Sequence, residues 1–236
     1  MKAFLLAAGI GSRLRPITDK IPKCLVPING RPLLYYWLKL FEQHGISEVL
    51  INLHHLPDLV FQFLQENEFN LKIHTVFEQE LLGSSGTIRS NFDFVCNERE
   101  FLICYADNLT NINLGNMIDF HVSKRPILTL GLFHTNNPRQ CGIAELDENN
   151  MVTNFVEKPE NPKSNLAGAG IYIANHEIWH YLPEHYPSDI GYDILPNLVR
   201  KMQGYFINEY FIDIGTIDSY EQARREFQTI NTKILL

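Results

Sequence analysis

The 236-residue sequence has only four cysteines, and they form no motif. Cys24, Cys96, Cys104 and Cys141 are widely spaced, and no two of them make a CxxC pair. The spacing therefore indicates neither a structural zinc site nor a redox-active dithiol. We expect reduced thiols, most of them buried.

Long apolar segments are also missing. No stretch approaches the roughly 18 consecutive apolar residues that a membrane-spanning helix requires. The opening segment, residues 1–8, runs into glycines and arginines without the small-residue cleavage site of a secretory signal peptide. We therefore predict a cytoplasmic protein without a membrane partner.

Positive charge is in deficit. Twenty Lys and Arg residues stand against 27 Asp and Glu residues, which gives a net charge of −7. Such a balance repels nucleic acid and anionic lipid, so we do not expect a nucleic-acid partner. Without linkers, internal repeats or low-complexity runs, the chain is predicted to be a single domain over residues 1–236.

The first half alternates strand-like and helix-like segments. Apolar runs bounded by turn residues predict strands at 2–7, 48–53, 71–77 and 101–106, and apolar residues at helical spacing predict helices at 32–44 and 58–67. This alternation predicts an α/β fold with a mainly parallel, doubly wound sheet, whose ligands bind at the carboxyl ends of its strands.

The second half is less regular. Strands are predicted at 127–133, 142–146, 152–156 and 168–174, joined as hairpins, and two helices at 192–202 and 217–228 flank a short strand near 205–213. We expect these strands to form an antiparallel extension of the sheet.

The loop after the first strand carries the most informative pattern. Residues 6–16 read Leu-Ala-Ala-Gly-Ile-Gly-Ser-Arg-Leu-Arg-Pro, and Pro22-Lys23 follows. Small residues let backbone N–H groups approach a phosphate, and Arg13 and Lys23 supply charge-assisted hydrogen bonds. The third glycine of a dinucleotide fingerprint is missing, because Leu14 stands there, and no Walker lysine follows. A polyphosphate cradle is predicted.

Residues 6–18 and 22–28 resemble the signature of sugar-1-phosphate nucleotidyltransferases, most of all the mannose and manno-heptose 1-phosphate guanylyltransferases. The resemblance implies a Rossmann-like, mainly parallel sheet flanked by helices, with an antiparallel β extension that forms the sugar pocket. It also implies that a nucleoside triphosphate and a sugar 1-phosphate react, with Mg²⁺ as cofactor, to give a nucleotide sugar and pyrophosphate.

The resemblance assigns the nucleotide to this loop and to a second loop at 78–87. Arg13 is expected on the β and γ phosphates, and Lys23 on the phosphate chain near the reacting centre. The second loop opens a predicted helix, whose free N–H groups and small residues would let a ligand approach closely. The implied nucleotide-binding residues are Leu6, Ala8, Gly9, Gly11, Glu78 and Gly83.

Two aspartates match metal-binding residues of the family. Asp107 follows a predicted strand at the sheet edge where this fold class places its chemistry, and a carboxylate there can hold a hard cation. Asp213 matches the second metal-binding aspartate. The resemblance therefore implies that Asp107 and Asp213 share Mg²⁺ with the triphosphate.

Three further segments match the family's sugar side. They are Gly142, the strand-ending Glu157-Lys158-Pro159, and residues 165–172. Lys158 is expected on the incoming sugar phosphate and Glu157 on sugar hydroxyls. The implied substrate-binding residues are Asn108, Gly142, Glu157 and Gly170.

Glu78 bears on the choice of base. An ionised carboxylate only accepts hydrogen bonds, which suits the N1–H and N2–H₂ donors of guanine better than the edge of uracil or thymine. Residues 82–86 and 211–220 are most similar to guanylyltransferases acting on mannose or manno-heptose 1-phosphate. We expect GTP with one of these sugars, while thymidylyl and uridylyl relatives share much of the pattern.

Three other interpretations remain open. Ala106-Asp107-Asn108 is also similar to phosphocholine cytidylyltransferases, although 157–159 and 168–170 argue against them. A sugar-phosphate sensor without turnover would keep the same pocket. His176-Glu177-Ile178-Trp179-His180 fits the HExxH zinc pattern, but Pro183 cuts the helix short, and a surface helix capped by Asn175 is expected. Relatives often form homodimers, and the sequence does not fix the oligomeric state.

Overall fold

The computed structural model describes residues 1–230, which form two compact units. Unit 1 contains Met1–Phe4, Leu81–Cys104 and Asn113–Asn208, and unit 2 contains Leu5–Glu80, Tyr105–Ile112 and the described residues from Glu209 to Ile230. Each unit is thus assembled from segments that are far apart in the sequence. The single domain over residues 1–236 stays a prediction.

Strands and helices alternate along the first half of the chain, as predicted. The six elements predicted for residues 2–106 each begin and end within one residue of the observed bounds. Within the described residues, the strands are β1 (Lys2–Leu6), β2 (Pro27–Ile28), β3 (Arg31–Pro32), β4 (Glu48–Leu53), β5 (Lys72–Phe77), β6 (Glu100–Tyr105), β7 (Asn108–Thr110), β8 (Leu128–His134), β9 (Gly142–Leu146), β10 (Val152–Glu157), β11 (Leu166–Asn175), β12 (Met202–Phe206) and β13 (Phe211–Asp213). The α-helices are α1 (Leu33–Gln43), α2 (Pro57–Glu66), α3 (Ser84–Ser90), α4 (Leu114–Lys124) and α5 (Ile217–Ile230).

Helix α1 builds the core of unit 2. Its apolar residues recur at helical spacing and are buried, as an amphipathic helix requires. Tyr36 donates to the Ile28 carbonyl at 2.7 Å, and the Trp37 indole donates to the Asn108 carbonyl at 2.8 Å. Since β7 begins at Asn108, the buried Trp37 fixes the backbone directly after Asp107.

The C-terminal helix α5 closes the same core. Tyr220, Ala223 and Phe227 are buried in one cluster with Leu14 and Tyr36. The Tyr220 hydroxyl also donates to the Pro27 carbonyl at 3.0 Å. Burial of this apolar face holds the end of β13, and hence Asp213, beside the loop that carries Leu14.

In unit 1, strands β9 and β10 form the predicted hairpin. They pair antiparallel, with Gly142 opposite Glu157. Strand β11 pairs antiparallel with β6, β8 and β9, whereas β12 joins β8 in parallel. In unit 2, β4 and β5 are parallel from Glu48 opposite Lys72 to Leu53 opposite Phe77. The predicted α/β class is confirmed: a mixed, mainly parallel sheet flanked by helices, with antiparallel strands.

Two predictions for the second half are wrong in detail. The helix expected over 192–202 is replaced by a π-helical turn at Ile190–Ile194, a 3-10 turn at Leu195–Leu198 and strand β12. Pro196 lacks an N–H group and clashes with the preceding turn, so an α-helix cannot run through it. The strand expected near 205–213 is two separate strands, β12 and β13.

The cysteines are free thiols, but only half of them are buried rather than most: Cys24 and Cys104 are buried, Cys141 is partly buried and Cys96 is exposed. Burial raises the pKa of the Cys24 thiol to about 12. Among the described helices, none combines the length and the apolar character needed to cross a membrane.

Candidate active site

The loop after β1 is folded back on itself in unit 2. Gly11 has a φ of 70°, and a Cβ atom there would lie 2.8 Å from the Thr18 Cγ2 atom, so a side chain at this position would be strained. The Thr18 hydroxyl donates to the Gly11 carbonyl at 2.7 Å. The left-handed backbone of Gly11 and the hydrogen bond from Thr18 therefore hold the loop in this conformation.

This loop borders a small cavity within unit 2. The cavity has a volume of about 40 Å³. A Cβ atom at Gly9 would meet nothing within 4 Å, which leaves the backbone there open to close approach. Two of the predicted nucleotide-binding residues thus line a space next to Lys23 and Asp107; the lining residues are Leu6, Ala7, Gly9, Lys23, Cys24, Ala106 and Asp107.

The two predicted metal-binding aspartates are brought together by a short antiparallel ladder. Strand β13 pairs with β7, which places Asp213 opposite Asn108. The Ile214 N–H donates to the Asp107 carbonyl at 2.9 Å. The Lys23 ammonium lies 2.5 Å from the Asp107 Oδ2 atom. Four residues predicted from three separate motifs are therefore neighbours: Lys23, Asp107, Asn108 and Asp213.

The pKa of Asp213 is raised from 3.8 to about 6. Its side chain reaches solvent, but neighbouring protein atoms crowd the carboxyl group and disfavour its charge. The nearby Asp107 carboxylate also raises this pKa, while Lys23 and Arg13 oppose the rise. The site therefore holds two carboxylates that repel each other until further positive charge arrives.

Arg13 lies near Asp213 in unit 2. A Cβ atom added to Gly215 would be 3.1 Å from the Arg13 Nη2 atom and 3.0 Å from the Asp213 Oδ1 atom. Gly215 thus leaves room for both side chains. Gly215 belongs to the segment 211–220 noted in the sequence, but the sequence did not show that it makes room for Arg13.

The donor set fits Mg²⁺. Carboxylate oxygens are the ligands this cation prefers, and it is usually held by one or two carboxylates with substrate phosphates and water. Residues 1–230 contain no group of three or more His, Cys, Asp or Glu that could hold a metal ion by itself. Asp107 and Asp213 are the two carboxylates that could contribute to such a shared site, and their role as metal ligands stays a prediction.

Glu78 is buried, with 4% of its surface exposed. Its Oε1 atom accepts a hydrogen bond from the Asn52 amide at 2.8 Å, and the Asn52 Oδ1 atom accepts one from the Ala7 N–H at 2.7 Å. One side chain on β4 therefore joins Glu78 to the loop after β1. Sequence reasoning missed Asn52, although a polar residue in the apolar run of β4 was a usable signal.

In the second predicted nucleotide-binding loop, residues 78–87, the small residues serve packing within the protein rather than the expected approach of a ligand. The N–H groups of Ser85 and Gly86 donate to the Ser188 carbonyl at 3.2 and 3.3 Å, so these two N–H groups are not free for a ligand. A Cβ atom at Gly83 would lie 2.1 Å from the same carbonyl oxygen. Gly83 is therefore required by packing within unit 1, and its nucleotide contact stays a prediction.

Three of the predicted sugar-side residues, Gly142, Glu157 and Lys158, meet in unit 1. A Cβ atom at Gly142 would lie 2.4 Å from the Glu157 Oε2 atom. Lys158 has a φ of 47°, and its ammonium is 3.7 Å from the Glu157 Oε1 atom and 5.5 Å from the centre of the Tyr192 ring. Burial raises the pKa of Glu157, Lys158 lowers it, and Asp189 raises it. Gly170 lies in β11 with a φ of 65°.

The HExxH segment forms a 3-10 helix, His176–Tyr181, with Asn175 as its cap. A 3-10 helix has three residues per turn, so residues four apart do not share a face as they do in an α-helix. A His176 ring nitrogen lies 3.1 Å from the Val95 carbonyl oxygen, which gives that side chain a structural partner.

Comparisons with known proteins identify the family of the chain. The profile of the family described as "Nucleotidyl transferase" matches residues 2–229. The D-glycero-alpha-D-manno-heptose 1-phosphate guanylyltransferase of Aneurinibacillus thermoaerophilus is 30% identical, over 97% of this chain and 99% of that protein. The UTP--glucose-1-phosphate uridylyltransferase of a Synechocystis strain is 31% identical over 95% of this chain, which spans 63% of that relative's length.

A solved structure shares the fold. A Bacillus anthracis protein provisionally named a glucose-1-phosphate thymidylyltransferase superposes with a TM-score of 0.86 at 24% identity, covering 98% of this chain and 96% of that one. The family profile spans nearly all of the sequence, and it covers both the loop after β1 and the two aspartates. The chain belongs to the nucleotidyl transferase family.

Proposed function

We propose that the protein transfers a nucleotidyl group from a nucleoside triphosphate to a sugar 1-phosphate. An oxygen of the sugar phosphate bonds to the α-phosphorus, the bond from that phosphorus to the bridging oxygen of the β phosphate breaks, and pyrophosphate leaves. The observation that carries the proposal is the cluster of Arg13, Lys23, Asp107 and Asp213 around the loop after β1.

The reaction needs no nucleophile from the protein, because the attacking phosphate oxygen is already anionic. Catalysis then depends on holding two polyanions in line and on compensating the charge of the leaving pyrophosphate. We assign Arg13 to the β and γ phosphates and Lys23 to the phosphate chain near the reacting centre. Lys158 is assigned to the incoming sugar phosphate.

Asp107 and Asp213 would hold Mg²⁺. When bound, this ion neutralises charge on the triphosphate and helps to orient it. The site favours a cation, because crowding by protein atoms and the nearby Asp107 carboxylate raise the pKa of Asp213. The Lys23 ammonium offsets part of the negative charge of Asp107 by its contact with the Asp107 Oδ2 atom. The predicted cytoplasmic location and a homodimer stay predictions.

For the substrate pair, we propose GTP with mannose or manno-heptose 1-phosphate. The buried Glu78 carboxylate suits the donors of guanine, and the Aneurinibacillus relative is named for a heptose 1-phosphate guanylyltransferase. A uridylyl transfer to glucose 1-phosphate is the second candidate, since the Synechocystis relative carries that name.

The test is pyrophosphate release with Mg²⁺. GTP, UTP, dTTP, CTP and ATP are each combined with glucose, mannose, manno-heptose and N-acetylhexosamine 1-phosphates and with phosphocholine. Turnover with GTP and mannose or manno-heptose 1-phosphate supports the full proposal. Turnover only with phosphocholine, or none in any combination, contradicts it.

Glu78→Gln is expected to lower kcat/KM for GTP at least about tenfold and to leave the value for UTP nearly unchanged. The glutamine keeps an oxygen that can accept from Asn52, but it presents an NH₂ donor where guanine also donates. The measurement is kcat/KM for both nucleotides in the variant and in Glu80→Gln, an exposed control two residues away. An equal loss for GTP and UTP would show that Glu78 does not read the base.

A further inference from the structure

Asp189 uses both carboxylate oxygens to hold one turn in unit 1. Its Oδ1 atom accepts from the Gly191 N–H at 2.9 Å, and its Oδ2 atom accepts from the Ser84 hydroxyl at 2.9 Å. The Ser84 oxygen in turn accepts from the Ile190 N–H at 2.8 Å. Ser84 and Asp189 together therefore fix the backbone at residues 190 and 191.

This turn lies directly against Glu157. A Cβ atom on Gly191 would be 2.5 Å from the Glu157 Oε2 atom, and one on Gly142 would be 2.4 Å from the same oxygen. Both distances are shorter than real Cβ contacts, so Glu157 occupies the space that these two glycines leave open. A displacement of residue 191 would change the position available to the Glu157 carboxyl group.

Asp189 also acts on Glu157 by charge. Besides burial, the charged groups that set the pKa of Glu157 are Lys158, which lowers it, and Asp189, which raises it. The Lys158 ammonium in turn lies over the Tyr192 ring. Asp189 thus acts on Glu157 in two ways, by charge and through Gly191, which it holds by a hydrogen bond and which packs against the Glu157 carboxyl group.

We propose that Asp189 is a positioning residue for Glu157: by holding Gly191, it fixes the carboxylate that faces the sugar of the sugar 1-phosphate. The inference rests on the proposed function for the role of Glu157. Asp189 does not touch the reacting atoms in this scheme. A purely structural cap would stabilise the turn in the same way but would leave Glu157 and sugar binding unaffected when removed.

The first experiment needs no substrate. The Glu157 carboxyl is titrated by ¹³C NMR in the full-length protein, with its signal assigned from Glu157→Gln. In Asp189→Asn the amide keeps an acceptor for the Gly191 N–H but removes a negative charge, so the midpoint of the Glu157 titration should move to lower pH. An unchanged midpoint in both Asp189→Asn and Asp189→Ala would overturn the proposal.

The second experiment separates KM from kcat. With GTP and mannose 1-phosphate, or with the active pair of the panel above, Asp189→Ala should raise KM for the sugar phosphate about tenfold and leave KM for the nucleotide nearly unchanged. Asp189→Asn should restore most of that loss. The matched control is Asn175→Ala, which removes another turn cap with two hydrogen bonds in unit 1.

The outcomes distinguish the two proposals. If wild-type protein turns over a sugar 1-phosphate, but Asp189→Ala and Asn175→Ala have the same sugar-phosphate KM, the positioning role is wrong and the proposed function stands. If wild-type protein is inactive with every substrate, the proposed function fails, and the NMR titration alone decides whether Asp189 controls Glu157.

Discussion

Asp213→Asn is expected to lower kcat at least about a hundredfold and, at the same time, to stabilise the substrate-free protein. The loss of turnover follows from the loss of one of the two carboxylates that would hold Mg²⁺. The gain in stability follows from the raised pKa of Asp213, which shows that its ionised form is disfavoured in the folded state.

The pH dependence has a definite sign. The pKa of Asp213 is raised from 3.8 to about 6, so folding favours the protonated carboxyl group. Its contribution to stability is complete below pH 4 and is lost as the pH rises through 6. Asparagine does not titrate, so the variant should gain over the wild type by about 1 kcal/mol at pH 7.5, after discounting for the solvent that reaches Asp213, and by much less near pH 4.

Thermal unfolding in EDTA at pH 4.5 and 7.5 checks the stability, and pyrophosphate release at saturating Mg²⁺ checks the turnover. Asp218→Asn is the control, because Asp218 is an exposed aspartate in the first turn of α5. Near-normal turnover in Asp213→Asn would remove Asp213 from the mechanism. A variant that is less stable than wild type at pH 7.5 would contradict the electrostatic argument.

Lys23→Ala should lower kcat at least about a hundredfold as well. Its side chain is 12% exposed and its ammonium lies 2.5 Å from the Asp107 Oδ2 atom, so the positive charge sits next to the carboxylate pair. Without it, the phosphate chain loses a cation close to the reacting centre. Lys23→Met keeps the aliphatic stem and should show the same loss, which separates charge from packing.

The matched control for Lys23 is Lys39→Ala. Lys39 also forms a partly buried ion pair, 2.7 Å from the Glu42 Oε2 atom, on α1 in the same unit. Rates for the three variants are compared by pyrophosphate release, with circular dichroism to verify folding. If Lys23→Met retains more than about a tenth of the wild-type rate, Lys23 does not act in the chemical step.

Local pattern was enough for the elements of the first half. Helix α1 was predictable because its apolar residues recur at helical spacing, and β4 because it is a bounded apolar run. The helix expected over 192–202 failed because Pro196 outweighed an apparent periodicity. The single-domain prediction also covers residues 231–236, which lie outside the described residues.

The phosphate-binding character of the loop after β1 was predictable from its residues, but the link between Asp107 and Asp213 was predictable only with the family resemblance. Strands β7 and β13 have three residues each and are about a hundred residues apart, so no local pattern indicates that they pair. Their pairing is what brings Asp107 and Asp213 together. Asn52 and Asp189 were missed for a related reason: their importance comes from hydrogen bonds to distant residues, which sequence spacing does not show.

The hydrogen bonds of Asn52 constrain any redesign of base preference. The amide has a fixed polarity, with its oxygen on the Ala7 N–H and its NH₂ group on Glu78. A residue at position 78 that offers only donors would face that NH₂ group, and turning the amide over would place NH₂ against the Ala7 N–H. Engineering for a new nucleobase at position 78 must therefore keep an acceptor there or change position 52 at the same time.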